Sequence, residues 1–373
     1  MPPAKGLAKL RASMTKVYGD NVTRRDTMVR PVFIPTGSLT LDYALGGGWA
    51  LGRTHELVGP EGMCKTSLTI LSMAQAQKMF PERGVAVIDM EQSFDFDWAA
   101  DLGLDLDENR FIHVYPDHSE DVSDQIKMLL RDGEISLLIV DSVGGMESKA
   151  AFEKKADESA MGKNSQVISR MVKQVAKLCR EHHSTVIFVN QYRADVGNPR
   201  GGQKSAGPNA LKYCTTTKVA LRRTGETARK RALDDSVSEA VKELEIGRQI
   251  RGKVERNKLA PQGRAADFWF YNEAQPDQPL GIDASDEAVN LGLATGAIAR
   301  LNNSTYELPD GTKVSGRPKA KAACAADPAL TEMVRQRALA TISGEVKSER
   351  QVSYDDVPEG VDPTTGLITE ESA

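Results

Sequence analysis

The sequence predicts an α/β fold built on a mostly parallel sheet with helices on both faces, and three observations carry that expectation. First, between about residues 33 and 272, short apolar runs alternate with longer helical patterns: HELV at 55–58, VAVID at 85–89, FIHVY at 111–115, SLLIVD at 136–141 and TVIFVN at 185–190. Near-continuous apolar runs are what strands buried on both faces require. Second, over 163–180 the residues Val167, Ile168, Met171, Val175, Leu178 and Cys179 fall on one helical face, with Lys163, Arg170, Lys173 and Lys177 mostly on the other. Such a helix packs one side against a sheet. Third, HELVGPEGMCKTSLTI at 55–70 runs from a strand through a glycine-containing loop into a helix.

Taken in chain order, residues 5–18 predict a short amphipathic helix, with Leu7, Leu10, Met14 and Val17 at helical spacing, and a linker follows, so 1–32 form one segment. Residues 33–280 carry the strand and helix alternation. Within them GETARKRALDDSVSEAVKELEIGRQI, 225–250, reads as a charged insertion with a helix expected around 234–246. Beyond Gly281, DEAVNLGLATGAIARL, then STYELPDGTKV with its Pro-Asp-Gly turn, then a helix over about 328–342 predict a small α/β domain spanning 281–344. The tail 345–373 carries eight carboxylates against Lys347 and Arg350, a net −6, and is expected to be disordered.

A chain of 373 residues can bury a full core, and 40% hydrophobic with 27% charged residues is a globular composition. No apolar run approaches the roughly 20 residues of a membrane helix. The segment MPPAKGLAKLRASMTKVYGD is charged along its length, unlike a secretory signal, so a cytoplasmic protein with no membrane partner is expected. Cys64, Cys179, Cys214 and Cys324 lie far apart with neither a CxxC pair nor zinc-type spacing. A net charge of −4 argues against coating a polyanion through bulk positive charge, so any such contact must use local patches.

Gly59, Pro60, Glu61, Gly62, Met63, Cys64, Lys65 and Thr66, with Ser67 beyond, sit where a phosphate-binding loop belongs. Backbone N–H groups at the helix start would cradle phosphates, Lys65 would reach the outer ones and the Thr66 hydroxyl would ligate Mg²⁺. The template GxxxxGK[ST] is broken at one position, because Cys64 replaces its second glycine. Standing alone, the loop could equally be a fortuitous turn. However, SLLIVD ends in Asp141, suited to holding Mg²⁺ through water, and VIDME at 87–91 puts Glu91 past another strand end, where a carboxylate orients attacking water. A strand-terminal Asp is more often a turn residue, yet three such ends converge on one edge of a parallel sheet, where ligands bind.

The order of motifs resembles the RecA family: IPTGSLTLDYALGGG at 34–48, GPEGMCKTSLT at 59–69, VIDMEQSFD at 87–95, VDSV at 140–143, FVNQYR at 188–193 and NALKY at 209–213. The altered loop and the charged insertion look closer to bacteriophage recombinases of the UvsX kind than to bacterial RecA, a resemblance that implies a bacterial cell and points to a phage-encoded origin. The resemblance implies a RecA-type P-loop ATPase core using ATP and Mg²⁺, an N-terminal oligomerisation helix, and an enzyme that builds helical filaments on single-stranded DNA and exchanges it with double-stranded DNA. It makes Glu91 the catalytic base and Gln191 a sensor of the γ-phosphate, sets Trp98 against adenine with Asp95 as acceptor, and sends Arg256 and Lys258 to a neighbouring subunit's phosphates.

Segments 153–163 and 192–208, rich in Gly, Lys, Asn and Ser, correspond by the same resemblance to two DNA loops along the filament axis. Met161 and Val196 match residues that wedge between bases, and Ser169, Lys173, Arg193 and Gly207 match backbone contacts. Two positions depart from the family, Pro208 for a glycine and Lys173 for an arginine. Arg222, Arg223, Arg251 and Lys253 match a secondary DNA site, although solvated charges on neighbouring strands would look the same. Two other readings stay open: a DNA-binding scaffold that binds ATP but hydrolyses little because of Cys64, and a regulatory ATPase with the same core.

Overall fold

Alternating side chains on each apolar strand serve two different helical layers, and that is what makes the sheet central. A computed structural model describes residues 5–19, 32–116, 119–143, 158–194, 203–205, 209–231, 243–274 and 279–343. The elements are α1 (Lys5–Tyr18), β1 (Phe33–Ile34), α2 (Leu39–Leu45), β2 (Trp49–Ala50), β3 (Thr54–Val58), α3 (Lys65–Met79), β4 (Gly84–Asp89), α4 (Phe96–Asp101), β5 (Phe111–Val114), α5 (Ser119–Arg131) and β6 (Ile135–Asp141). They continue with α6 (Glu158–His182), β7 (Thr185–Asn190), β8 (Tyr192–Ala194), β9 (Gln203–Ser205), α7 (Asn209–Cys214), β10 (Thr217–Arg231), β11 (Glu243–Asn257), β12 (Ala265–Tyr271) and β13 (Gly281–Ile282). The C-terminal lobe holds α8 (Ala284–Thr295), β14 (Ala299–Arg300), β15 (Thr305–Glu307), β16 (Lys313–Ser315), α9 (Arg317–Ala326) and α10 (Pro328–Ser343).

Nine strands form one sheet in the order β13-β12-β11-β10-β3-β7-β6-β4-β5. From β10 to β5 every pairing is parallel, and β10 through β13 pair antiparallel. On β6, Leu137 and Ile139 enter the core shared with α2, α3 and α4, while Leu138 and Val140 enter the core shared with α5, α6 and α7. This is the two-residue period of a strand covered on both faces. All five apolar runs read from sequence are strands, so the parallel α/β expectation holds.

Two local expectations are corrected. Residues 243–246, placed in a helix from sequence, belong to β11, which pairs with β10 from Thr217↔Asn257 to Arg231↔Glu243 with several register shifts. The paired ladder satisfies the backbone of both charged strands, and that outweighs the helical preference of the sequence KELE. Residues 158–163, expected in a loop, are the first turns of α6, and the 192–208 segment contains the antiparallel ribbon β8–β9.

The C-terminal lobe has its own core around Ala288, Val289, Ile298, Tyr306, Val334 and Ala338. One buried carboxylate joins it to the main sheet's helical layer. Glu287 on α8 accepts from Ser38 Oγ at 2.6 Å, Leu39 N at 2.8 Å and Thr40 Oγ1 at 2.5 Å, so a side chain 249 positions away from Ser38 serves the N-terminus of α2. Asp42 on α2 answers with an ion pair to Arg335 on α10 at 3.3 Å. Residues 1–32 form a separate unit, in which Leu7, Leu10 and Val17 on α1 are exposed.

Candidate functional site

The parallel strands β3, β7, β6 and β4 all end on the same edge, and the loop after β3 is the centre of the site. A Cβ on Gly59 would meet the Leu221 carbonyl oxygen at 2.9 Å, so only glycine allows β3 to pass β10 here. Gly62 has φ +67° and Cys64 has φ 56° and ψ 27°, both left-handed. Cys64 therefore adopts the backbone that a glycine at this position would supply, at a cost of about 1–2 kcal/mol for an L-residue. Burial pushes its thiol up to about 11, against the pull of Arg248, Arg223 and Lys65, so it is neutral.

Lys65 Nζ donates to the Pro60 carbonyl at 2.7 Å and is nearly buried. Burial lowers its pKa below the ordinary lysine value, opposed by the carboxylates of Asp141, Glu91 and Glu61. Thr66 Oγ1 donates to Asp141 Oδ2 at 2.9 Å. Burial is the main cause that pushes Asp141 up to about 6; Glu91 and Asp89 add to it, while Thr66 and Lys65 pull it back. Thr66 and Asp141 are thus already held side by side at the start of α3 and the end of β6. Beyond β6, Ser142 Oγ donates to Glu91 Oε1 at 2.5 Å, and Gln191 Nε2 donates to the same oxygen at 3.1 Å.

Asp95 is spent as the N-cap of α4, accepting from Trp98 N at 2.9 Å. Trp98 is half-buried, donates from its indole to Ser67 Oγ at 3.1 Å and lies 6.3 Å from the Phe270 ring. The indole is thereby anchored to the start of α3, next to the loop.

Sequence reasoning missed Arg248 of β11. Its Nη1 donates to the Gly62 carbonyl at 3.0 Å, and with Asn272 it lines a cavity of about 300 Å³ whose floor is Gly62, Met63, Cys64, Lys65, Thr66 and Ser67. Only the pairing of β10 with β11 could have revealed it. A larger cavity of about 1160 Å³ lies between β13 and the helices of the C-terminal lobe, lined by Pro279, Ile282, Ala322 and Ala325, away from these strand ends. It contains none of the motif residues.

Lys258 lies by the start of β3, through Thr216 and Thr54, and Arg256 by its middle. Arg256 bonds Thr215 Oγ1 and pairs with buried Glu56 at 3.5 Å, while Lys258 Nζ donates to the Tyr213 carbonyl at 2.7 Å. A cavity of about 320 Å³ gathers Lys258, Tyr213, Lys173, Arg53 and Arg180. Burial, then the neighbouring Arg256, lowers Lys258 below the ordinary lysine value.

Among the DNA candidates, Arg222 faces Arg251 directly across the β10–β11 ladder, and Lys253 faces Ala220. Arg251 is held by Asp267, with Nε to Oδ1 at 2.5 Å, and Arg223 pairs with Glu245 at 2.8 Å. Lys173 and Arg193 are exposed and Ser169 is half-buried, the first and last on α6 and Arg193 on β8. Met161 lies on α6; Val196, Gly207, the stretch 232–242 and the tail 345–373 lie outside the described residues. Among the described residues no helix is long and apolar enough to cross a membrane, and no His, Cys, Asp and Glu group makes a metal cluster.

A phosphate-type loop leaving a parallel strand, with carboxylates past the adjacent strand ends, defines the class of α/β P-loop ATPases. Residues 11–274 match the RecA N-terminal domain. Protein RecA of Cereibacter sphaeroides is 31% identical over 376 residues, covering 98% of this chain and 97% of that protein. Protein RecA of Bacteroides thetaiotaomicron is 32% identical over 344 residues, covering 89% and 96%, and that of Acinetobacter baylyi is 35% identical over 270 residues, covering 71% and 73%. The chain belongs to the RecA family.

Proposed function

We infer that this chain is an ATP-dependent DNA recombinase that forms helical filaments on single-stranded DNA and carries out homologous pairing and strand exchange in recombination and repair. RecA family proteins are DNA-dependent ATPases that use ATP with Mg²⁺, bind DNA and form filaments. The observation that carries the reading for this chain is the Gln191–Glu91 hydrogen bond, because Gln191 directly precedes the β8–β9 segment proposed to meet DNA. One contact thus joins the proposed hydrolytic carboxylate to a proposed DNA loop.

The residues present fit a nucleotide. The left-handed Cys64 leads into the N-terminus of a 15-residue helix, the Lys65 ammonium is held by a carbonyl of the same loop, and Thr66 and Asp141 form a ready cation pair. Gly59 through Ser67 would hold the phosphates, Thr66 and Asp141 the Mg²⁺, and Trp98 with Asp95 would border the base. ATP, when bound, supplies the phosphoanhydride bond whose cleavage resets the filament. Glu91 orients and deprotonates water, and Gln191 moves with the DNA loops. Lys258 lies beside Thr216, which bonds Thr54 at the start of β3, about 16 Å from Gly59 at ~3.3 Å per strand residue, and Arg256 pairs with Glu56, about 10 Å from Gly59, so we assign their phosphate partner to a neighbouring subunit.

The proposed domain roles follow: 1–32 for oligomerisation, 33–280 for ATP and the DNA loops, 281–344 as an accessory lobe and 345–373 as an acidic tail. Met161, Ser169, Lys173, Arg193, Val196 and Gly207 serve the first strand, and Arg222, Arg223, Arg251 and Lys253 the incoming duplex. Cys64 and the charged stretch between β10 and β11 support a kinship with bacteriophage recombinases of the UvsX kind, acting in the bacterial cytoplasm. The test is strand exchange between a single-stranded circle and a homologous linear duplex with Mg²⁺ and ATP. Joint molecules are expected with the homologous duplex alone; ATP and DNA binding with no exchange would favour a scaffold.

A further inference from the structure

We infer that Arg248 is a phosphate-contacting residue of the nucleotide site, a cation delivered in cis by β11 to the loop that carries Cys64. The inference deepens the phosphate-loop reading of residues 59–67 and rests on it. Three observations converge on this side chain. Its guanidinium already holds the loop, through Nη1 to the Gly62 carbonyl at 3.0 Å. It borders the same cavity of about 300 Å³ as Lys65 and Thr66. Its Nε is out of contact with solvent and has no acceptor.

A guanidinium has five donors in a planar fork, and a buried donor without a partner is costly. Here Nη1 serves Gly62 and Nη2 serves Glu245 at 2.9 Å, which leaves donor capacity beside the loop. The cavity floor is a helix N-terminus with Lys65, an anion-binding arrangement, and the neutral Cys64 thiol adds no opposing charge. An arginine fork next to such a floor matches phosphate oxygens better than it matches any neutral ligand.

Glu245 tunes this cation. Its Oε1 pairs with Arg248 and, at 2.8 Å, with Arg223, so one carboxylate is shared by the loop arginine and an arginine of the proposed secondary DNA site. Neutralising Glu245 releases Arg248 Nη2 from its ion pair, while Nη1 keeps the Gly62 carbonyl.

The experiment is calorimetric titration of the full chain with ADP and Mg²⁺. Arg248→Ala and Arg248→Gln should each weaken ADP binding roughly tenfold or more, the loss expected of a charge-assisted hydrogen bond, with Arg248→Lys intermediate. Glu245→Gln should tighten it a few-fold. Gln carries no charge, so wild-type affinity in Arg248→Gln would mean that no guanidinium–phosphate contact is made, and would overturn the inference. Lys65→Ala separates the two levels. Normal ADP binding in that variant would overturn the phosphate-loop reading itself, whereas loss in Lys65→Ala with wild-type binding in all Arg248 variants would overturn the Arg248 role alone.

Discussion

Gln191 Nε2 donates to Glu91 Oε1 across 3.1 Å, and Ser142 Oγ reaches the same oxygen at 2.5 Å, so residues just beyond β7, β6 and β4 meet at one carboxylate atom. Glu91 is the proposed general base, a role that contributes typically 10²–10⁴-fold to rate. Glu91→Gln should therefore lower ATP hydrolysis at least about 100-fold while ADP still binds, whereas Lys65→Ala should lose binding. Gln191→Ala should keep basal hydrolysis but lose its response to DNA. Steady-state hydrolysis alongside nucleotide titration separates these outcomes, and equal loss of binding in the Glu91 and Lys65 variants would refute the division of roles.

Cys64 adopts a left-handed backbone, which costs an L-residue about 1–2 kcal/mol, while glycine loses roughly 0.5–1 kcal/mol through its unfolded-state freedom. Cys64→Gly should thus stabilise the chain by about 0–1.5 kcal/mol and retain nucleotide binding. Cys64→Val, β-branched, should destabilise it. Denaturant unfolding gives both signs. The raised thiol pKa of about 11 also predicts slow alkylation of Cys64 at pH 8.

Glu287 is buried, and burial pushes its carboxyl from 4.5 up to about 7, partly offset by the donors Ser38, Thr40 and Leu39. Between those values the folded chain holds a proton that the unfolded chain has released, so this group's contribution to stability falls as pH rises across the window. Glu287→Gln keeps the shape and an acceptor without the charge. The difference in unfolding free energy between wild type and this variant should shift in favour of the variant from pH 5 to pH 8. A pH-independent difference would contradict the assignment. Glu287→Ala, which strands the Leu39 N–H and two hydroxyls, should cost at least about 1–3 kcal/mol at any pH.

The strands, the loop at 59–66 and the Asp141 and Glu91 positions were legible because each depends on local pattern: an apolar run, then a glycine or an acid at its end. Arg248 was not, since what brings it to Gly62, 186 positions away, is the pairing of two charged strands whose sequences alternate poorly. The same holds for Glu287, which reads as an ordinary first-turn acid of α8 and is in fact an acceptor for α2. Two-residue strands such as β1, β2 and β13 are too short to leave any period in the sequence.

The separation of Lys258 from the loop, at opposite ends of β3, predicts a site shared between subunits. Lys258→Ala subunits mixed with wild type should reduce DNA-stimulated hydrolysis more than in proportion to their share. Removing residues 1–30, with their exposed Leu7, Leu10 and Val17, should leave a folded chain that binds nucleotide but forms no filaments by electron microscopy. A strictly linear decline, or full activity of the truncated chain, would place a complete site within one subunit.

The most direct measurement of the whole account is the rate of ATP hydrolysis by the full chain with Mg²⁺, with and without single-stranded DNA. The Gln191–Glu91 link between the DNA loops and the hydrolytic carboxylate predicts a large increase on adding DNA, lost in Gln191→Ala. Slow turnover that ignores DNA, in a protein that binds both ligands, would contradict it.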